Sequence, residues 1–241
     1  MRCRLCTSEA KIVVSHIIPE FLYETLYDEK HRFFELSLEP GRPDKFKQIG
    51  LREPLLCEPC EQQLSVYEGY FRHLLQSRTA VTCVSDGEHL RLSGLDYANI
   101  KLFQLSILWR AGVSTLPEFA QVELGPHEAR IRQMLCLREP GANSDYGCIM
   151  SAVLHEHELL QGVVVPPTHA RVLGHKAYRF VFGGLAFIYV VTSSALPSYV
   201  TQAFCQTEGT AVLRKQQVAK MGFLMDAFHE LKRQGKLGTS Q

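Results

Sequence analysis

The sequence predicts an α+β protein in which helices and an antiparallel sheet come from separate stretches of the chain. Apolar residues recur at spacings of three and four in several segments, which is the period of a helix. Short apolar segments flank the pairs Asp86-Gly87 and Gly183-Gly184, which favour hairpin turns. With 241 residues, of which 46% are hydrophobic and 21% charged, the chain has the composition of a globular protein with a sizeable core.

The first predicted domain spans residues 1–78. The β-branched stretch 10–14 predicts a short strand that ends at His16, and the Pro-Gly-Arg-Pro sequence at 40–43 predicts a loop or wide turn. A helix is predicted to begin at Cys57. The apolar face of this helix consists of Leu64, Tyr67, Phe71 and Leu74.

The second predicted domain spans residues 79–241 and combines helices with an antiparallel sheet. Asp96 is the expected N-cap of a helix that is apolar on nearly every face and should therefore be central and buried. Helices are predicted at 96–111, 126–137 and 212–234. Strands are predicted at 80–84, 89–92, 162–166, 178–182 and 185–192.

Two Cys-x-x-Cys pairs, Cys3/Cys6 and Cys57/Cys60, are the strongest functional signal. Paired cysteines in a cytosolic chain favour metal binding over disulfides, and four thiolates complete the tetrahedral shell of a structural zinc ion. Such an ion leaves no position open for a substrate, so any chemistry would depend on the residues that it holds in place. The remaining cysteines are interpreted as small buried core residues: Cys83, Cys136, Cys148 and Cys205.

The order of these residues resembles the zinc-stapled branch of the HNH (ββα-metal) endonucleases. The shared features are the first cysteine pair, a strand that ends in His16-Ile17-x-Pro19, and a second cysteine pair at the start of a helix. The resemblance covers about residues 1–76. It implies a treble-clef zinc module with a ββα core that cleaves nucleic-acid phosphodiester bonds. Most of the chain also looks like a group of bacterial HNH-like proteins of unknown function, which suggests an association with bacterial defence.

The resemblance implies catalytic roles for two residues. The family histidine at the strand end, which activates a water molecule, corresponds to His16. The residue after the last cysteine is commonly histidine or asparagine in the family; here it is Glu61, a carboxylate that suits a catalytic Mg²⁺ or Mn²⁺. Two family elements differ, because Ser15 replaces the usual metal-binding residue before the histidine and no asparagine precedes Asn99.

The functional hypothesis is therefore an HNH-like, metal-dependent nuclease with nucleic acid as its partner. The alternative is a non-catalytic zinc-binding interaction or scaffold protein with a degenerate HNH module. Charge argues against easy binding of nucleic acid, because the chain has a net charge of only +1 and residues 1–80 carry 11 basic against 12 acidic side chains. Phosphate neutralisation supplies most non-specific affinity, so this module alone should bind nucleic acid poorly, and a protein partner could provide the missing basic surface.

Two further sequence features are assigned no metal or catalytic role. In the sequence His-Glu-His-Glu at 155–158, the two histidines are two residues apart and would not share a helix face. The basic residues of 212–234 are interpreted as the solvated face of a helix. The N-terminus lacks the apolar core of a signal peptide, and the longest apolar runs are too short to span a bilayer, which together predict a cytoplasmic protein without a membrane anchor.

Overall fold

The structure is a computed structural model that describes residues 1–38, 41 and 43–236. It is a mixed α+β fold with a large antiparallel-rich sheet and two small strand pairs. The strands are β1 (Ile12–His16), β2 (Phe33–Glu35), β3 (Lys45–Lys47), β4 (Arg52–Cys57), β5 (Thr82–Asp86), β6 (His89–Ser93), β7 (Cys148–His155), β8 (Glu158–Leu159), β9 (Val165–Val172), β10 (His175–Phe182), β11 (Leu185–Val190) and β12 (Thr210–Gln217). The helices are α1 (Glu58–Leu75), α2 (Tyr97–Val113), α3 (His127–Leu137), α4 (Ser198–Thr201) and α5 (Gly222–Arg233). None of the described helices is both long and apolar enough to cross a bilayer.

The N-terminal region is built on an antiparallel pair of β1 and β4, from which α1 continues directly. Cys57 ends β4 and is also the N-cap residue of α1, so the strand leads into the helix without a loop. Glu58 and Glu61 lie in the first turn of α1, where the positive end of the helix dipole stabilises negative charge. β2 and β3 form a second antiparallel pair. Of the predicted loop at 40–43, residues 40 and 42 lie outside the described residues.

The large sheet has the strand order β5-β6-β12-β7-β11-β10-β9, with β8 paired to β7. Its neighbouring strands are antiparallel, except that β12 runs parallel to β7. The predicted glycine hairpin joins β10 to β11. Gly183 and Gly184 have φ values of 59° and 75°, and a two-residue turn of this kind requires positive φ at both positions.

The segment 212–234 is not the single helix that its apolar spacing predicts. Its first residues belong to β12, a 3₁₀ turn follows at Val218–Lys220, and only then does α5 begin. Ala211 and Leu213 are both buried, which is the alternating pattern of a strand, and the backbone pairs with β6 and β7. Pairing with two strands distant in sequence therefore outweighs the local helical period. The strand predicted at 162–166 likewise begins only at Val165.

Helix α2 passes through the core and is buried on nearly every face, as its sequence predicts. Asp96 caps it by accepting a hydrogen bond from the backbone N–H of Asn99 at 3.0 Å. Phe103 of α2 stacks on Phe71 of α1, with ring centroids 4.0 Å apart. One continuous set of buried side chains thus includes residues from both predicted domains.

Candidate metal centre and the adjoining histidine

The four paired cysteines meet where the N-terminal turn packs against the start of α1. Their sulfur atoms all lie within 4.8 Å of one another. The Sγ atoms of Cys6 and Cys57 are 3.7 Å apart, far beyond the roughly 2.0 Å of a disulfide bond. Sulfur atoms bound tetrahedrally at about 2.3 Å from a zinc ion would be about 3.8 Å apart. The four cysteines are therefore positioned to bind a metal ion, in agreement with their spacing in the sequence.

Backbone hydrogen bonds fold the first cysteine pair into a tight turn. The N–H of Cys3 donates to the carbonyl of Ser8, and the N–H of Thr7 donates to the carbonyl of Cys3, both at 3.0 Å. Thr7 has a φ of 64°, in the left-handed region, which reverses the chain directly after Cys6. The N–H of Cys57 donates to Sγ of Cys3 at 3.3 Å, which links this turn to the start of α1.

The pKa shifts of Cys6, Cys57 and Cys60 fit a bound cation. Burial raises the pKa of Cys57 and that of Cys60, because desolvation penalises the thiolate. At Cys6, a hydrogen bond from the backbone of Ser8 lowers the pKa to about 6. Thiolates are the metal-binding form, so a divalent cation would compensate the desolvation of the buried sulfurs.

His16 lies at the end of β1 with its side chain 25% exposed. Its Nε2 atom is 3.0 Å from Oε2 of Glu20, although the two atoms do not form a linear hydrogen bond. Glu20 is itself held by the hydroxyl of Tyr27 and by the N–H of Gly50, the latter at 3.2 Å. Burial lowers the pKa of His16 more than the charge of Glu20 raises it, which favours the neutral imidazole.

Glu61 contacts Ser15 rather than His16. The hydroxyl of Ser15, which is fully buried, donates to Oε2 of Glu61 at 2.6 Å. This hydrogen bond places the side chain of Ser15 on the face of β1 that packs against α1. Burial raises the pKa of Glu61, and the hydrogen bond from Ser15 offsets part of this effect. β1 and α1 therefore meet at the Ser15–Glu61 contact.

A buried guanidinium, that of Arg110 in α2, joins this region to the core. The side chain is fully buried, and its Nη2 atom is 2.6 Å from Oε1 of Glu68 in α1. Its Nη1 atom donates to the backbone carbonyl of His16 at 2.5 Å, and its Nε atom donates to the carbonyl of Ser106 at 3.3 Å. One charge therefore connects α1, α2 and the end of β1.

Sequence reasoning found the cysteines and His16 but missed the partner of the histidine, Glu20. The available signal was the four-residue spacing between His16 and Glu20. Such a spacing indicates a side-chain pair within a helix, but here a strand ends at His16 and Pro19 leads into a 3₁₀ turn, so the spacing did not identify the pair. Glu68 has the spacing of a solvated helix charge, yet its side chain is only 19% exposed because Arg110 reaches it from another helix.

The four cysteines are the one group of three or more Cys, His, Asp or Glu side chains in the described ranges whose ligand atoms are close enough together to hold a metal ion. Glu61 and His16 do not form a second such group. No family model matches the chain, and no curated protein or solved structure matches it significantly. The likeness to HNH endonucleases therefore rests on the residues named above.

Proposed function

We propose that Cys3, Cys6, Cys57 and Cys60 bind one structural zinc ion within an HNH-like treble-clef module. The separation of the sulfur atoms supports this, as does the preference of zinc for a closed shell of four thiolates. The order of the elements also supports it, because a cysteine turn is followed by an antiparallel strand pair and then by a helix. With four protein ligands, the zinc ion would hold the N-terminal turn of Cys3 and Cys6 against the junction of β4 and α1 without taking part in chemistry.

We further propose that the module hydrolyses nucleic-acid phosphodiester bonds with His16 as the general base. The supporting observation is the 3.0 Å approach between Nε2 of His16 and Glu20. Because Nε2 faces the carboxylate, Nδ1 is the nitrogen that takes a proton from water, and Glu20 stabilises the imidazolium that forms. The water oxygen bonds to phosphorus, the bond to the leaving sugar oxygen breaks, and that oxygen takes a proton from solvent.

In this proposal Glu61 is the protein ligand for a catalytic Mg²⁺ or Mn²⁺. These cations prefer oxygen ligands, and Mg²⁺ is commonly bound by one or two carboxylates together with substrate phosphates, so one carboxylate suits it. Desolvation raises the pKa of Glu61, which means that its charged form would gain from a nearby cation. When bound, such a cation would neutralise charge that develops on the phosphate.

The substitution His16→Ala tests this function. It should lower the cleavage rate by about 10²- to 10⁴-fold, the usual contribution of a positioned general base. Zinc content should stay unchanged, because four sulfurs complete the shell without the histidine. The assay should use DNA and RNA substrates at low salt with Mg²⁺ or Mn²⁺. His229→Ala, which removes an exposed histidine of α5, is the matched control and should cleave as wild type does. An inactive wild-type protein, or a fully active His16→Ala variant, would reject the nuclease proposal.

The pH dependence of cleavage tests the role of Glu20. Burial lowers the pKa of His16 and the charge of Glu20 raises it, so the rate should fall on the acid side below the ordinary range of histidine. Glu20→Gln removes the charge but keeps a side chain of similar shape, so the acid limb of the pH–rate profile should move to lower pH. A profile with the same acid limb as wild type would show that Glu20 does not act on the base.

A non-catalytic zinc module is the second candidate, and one observation favours it. Three of the carboxylate oxygens that a catalytic cation would need already accept hydrogen bonds: one of Glu61, from Ser15, and both of Glu20, from Tyr27 and Gly50. On this alternative the module is a scaffold for a protein partner. A wild-type protein that contains zinc and melts cooperatively, yet cleaves neither DNA nor RNA with either cation, would favour this candidate.

A further inference from the structure

A cleft of about 750 Å³ lies between the β5–β6 turn and the β7–β8 turn, with the end of β12 between them. This volume is within the range of small-molecule sites in proteins. The sequence 155–158, which has no metal role, contributes to the turn on one side of the cleft. Because 210–217 is a strand rather than a helix, Arg214 and Lys215 line the cleft instead of a solvated helix face.

The cleft contains more positive charge than its own carboxylates neutralise. Three cations line it, namely Arg214, Lys215 and Lys220, against the two carboxylates Glu88 and Glu156. Arg214 is paired with Glu88, with Nη2 3.4 Å from Oε2. In the part of the chain that the structure describes, neither lysine has an ion-pair partner. Two cationic side chains are therefore available to an anion.

Lys215 is held in place by neutral groups. Its Nζ atom donates to Oγ of Ser85 at 2.5 Å and to the carbonyl of Gly87 at 2.9 Å. An ammonium group has three N–H donors, so one remains for a ligand. The two contacts fix the position of the ammonium group without neutralising it. The carboxylate of Asp86 also lies near: its pKa is lowered mainly by Arg91, its ion-pair partner at 2.8 Å, and also by Lys215. Because Asp86 is paired with Arg91, the ammonium group of Lys215 can still bind an anionic oxygen.

Apolar side chains line the same cleft. Leu90, Leu154 and Leu159 come from both of its sides, and Leu159 is 38% exposed. Gln216 and Gln217 add side-chain amides that can both donate and accept hydrogen bonds. Apolar walls beside a few placed polar groups are the usual composition of a site for an organic ligand. The cleft is thus suited to a molecule with an anionic group and a flat or apolar body.

We propose that this cleft binds a nucleotide-sized ligand, with its phosphate on Lys215 and Lys220 and its base against the leucines. Phosphate matches the two ammonium groups in charge, and a nucleoside matches the volume and the mixed apolar and amide lining. The ligand is either a free nucleotide or the phosphorylated terminal nucleotide of a strand, since both present the same groups. His16 does not line the cleft, so the proposal is independent of the nuclease activity proposed above.

Ligand titrations on the full chain test this proposal. The probes are the four ribonucleoside 5′-monophosphates, the matching nucleosides, inorganic phosphate, and short oligonucleotides with and without a 5′-phosphate. At least one monophosphate should raise Tm with increasing concentration, its nucleoside should bind at least tenfold more weakly, and inorganic phosphate should compete. Tighter binding of the phosphorylated oligonucleotide would identify a strand terminus as the source, and tighter binding of the monophosphate a free nucleotide. Binding of neither kind of phosphorylated probe would overturn the proposal.

Three variants, each of which removes one positive charge, test whether the ligand binds in this cleft. Lys220→Gln has no hydrogen bond to lose in the described structure and should weaken phosphate-dependent binding at least fivefold without changing the Tm of the free protein. Lys215→Gln should weaken it at least tenfold, although it also removes the contacts to Ser85 and Gly87. Lys232→Gln removes an exposed charge from α5 outside the cleft and should bind as wild type does. Equal binding by wild type and Lys220→Gln would also overturn the proposal.

Discussion

Cys57→Ser should release the metal ion and unfold the N-terminal module. A serine hydroxyl is a poor zinc ligand, and Cys57 is both a member of the cysteine cluster and the N-cap residue of α1. Structural zinc contributes about 10–16 kcal/mol in small zinc domains at neutral pH, more than most domains have as net stability. Because the buried core is continuous from Leu5 to α2, the loss should lower the Tm of the whole protein.

Zinc analysis and thermal unfolding check this result. The wild type should contain one zinc ion per chain, and Cys57→Ser should contain little and lack the wild-type transition. Cys83→Ser is the matched control, because Cys83 does not belong to the cluster and, contrary to its interpretation as a buried core residue, is exposed on the edge strand β5. It should keep both zinc and Tm. A wild-type protein without zinc would show that the four cysteines do not form a structural zinc site.

Features that depend on a short stretch of chain were predictable from the sequence. The N-cap Asp96, the Gly183-Gly184 turn and the helix after Cys57 all depend on residues within a few positions of each other. The cysteine cluster was predictable for another reason, since a structural metal ion restricts ligand type and spacing so strongly that the pattern survives in the sequence.

Features that depend on distant partners were not predictable in this way. β12 has the local spacing of a helix, but its backbone finds partners in β6 and β7, far away in sequence. Glu61 accepts its hydrogen bond from Ser15, one position before His16 in β1, although the sequence singled out the histidine. A single residue of register therefore changes which side chains meet, and local patterns do not fix that register.

Arg110→Met should destabilise the protein by about 3–5 kcal/mol, because removing one partner of a buried ion pair leaves the other charge uncompensated. The guanidinium is fully buried and contacts both Glu68 and the carbonyl of His16. Methionine fills similar volume, so the loss would reflect charge and hydrogen bonding more than a cavity. The protein has one tryptophan, Trp109, which is fully buried next to Arg110 in sequence, so its fluorescence can follow denaturant unfolding.

Two further variants separate the ion pair from a general loss of packing. Arg72→Met breaks an exposed pair with Glu24, whose side chains are 45% and 48% exposed, and it should cost only about 0–1 kcal/mol. In the double variant Arg110→Met/Glu68→Gln no buried carboxylate is left unpaired, so part of the lost stability should return. Equal losses for the double and the single variant would show that Arg110 stabilises the fold through its bonds to Ser106 and His16 and not through Glu68. If Arg110→Met lowers the free energy of unfolding by less than about 1 kcal/mol, the buried guanidinium does not link α2 to the cysteine module, contrary to what its contacts indicate.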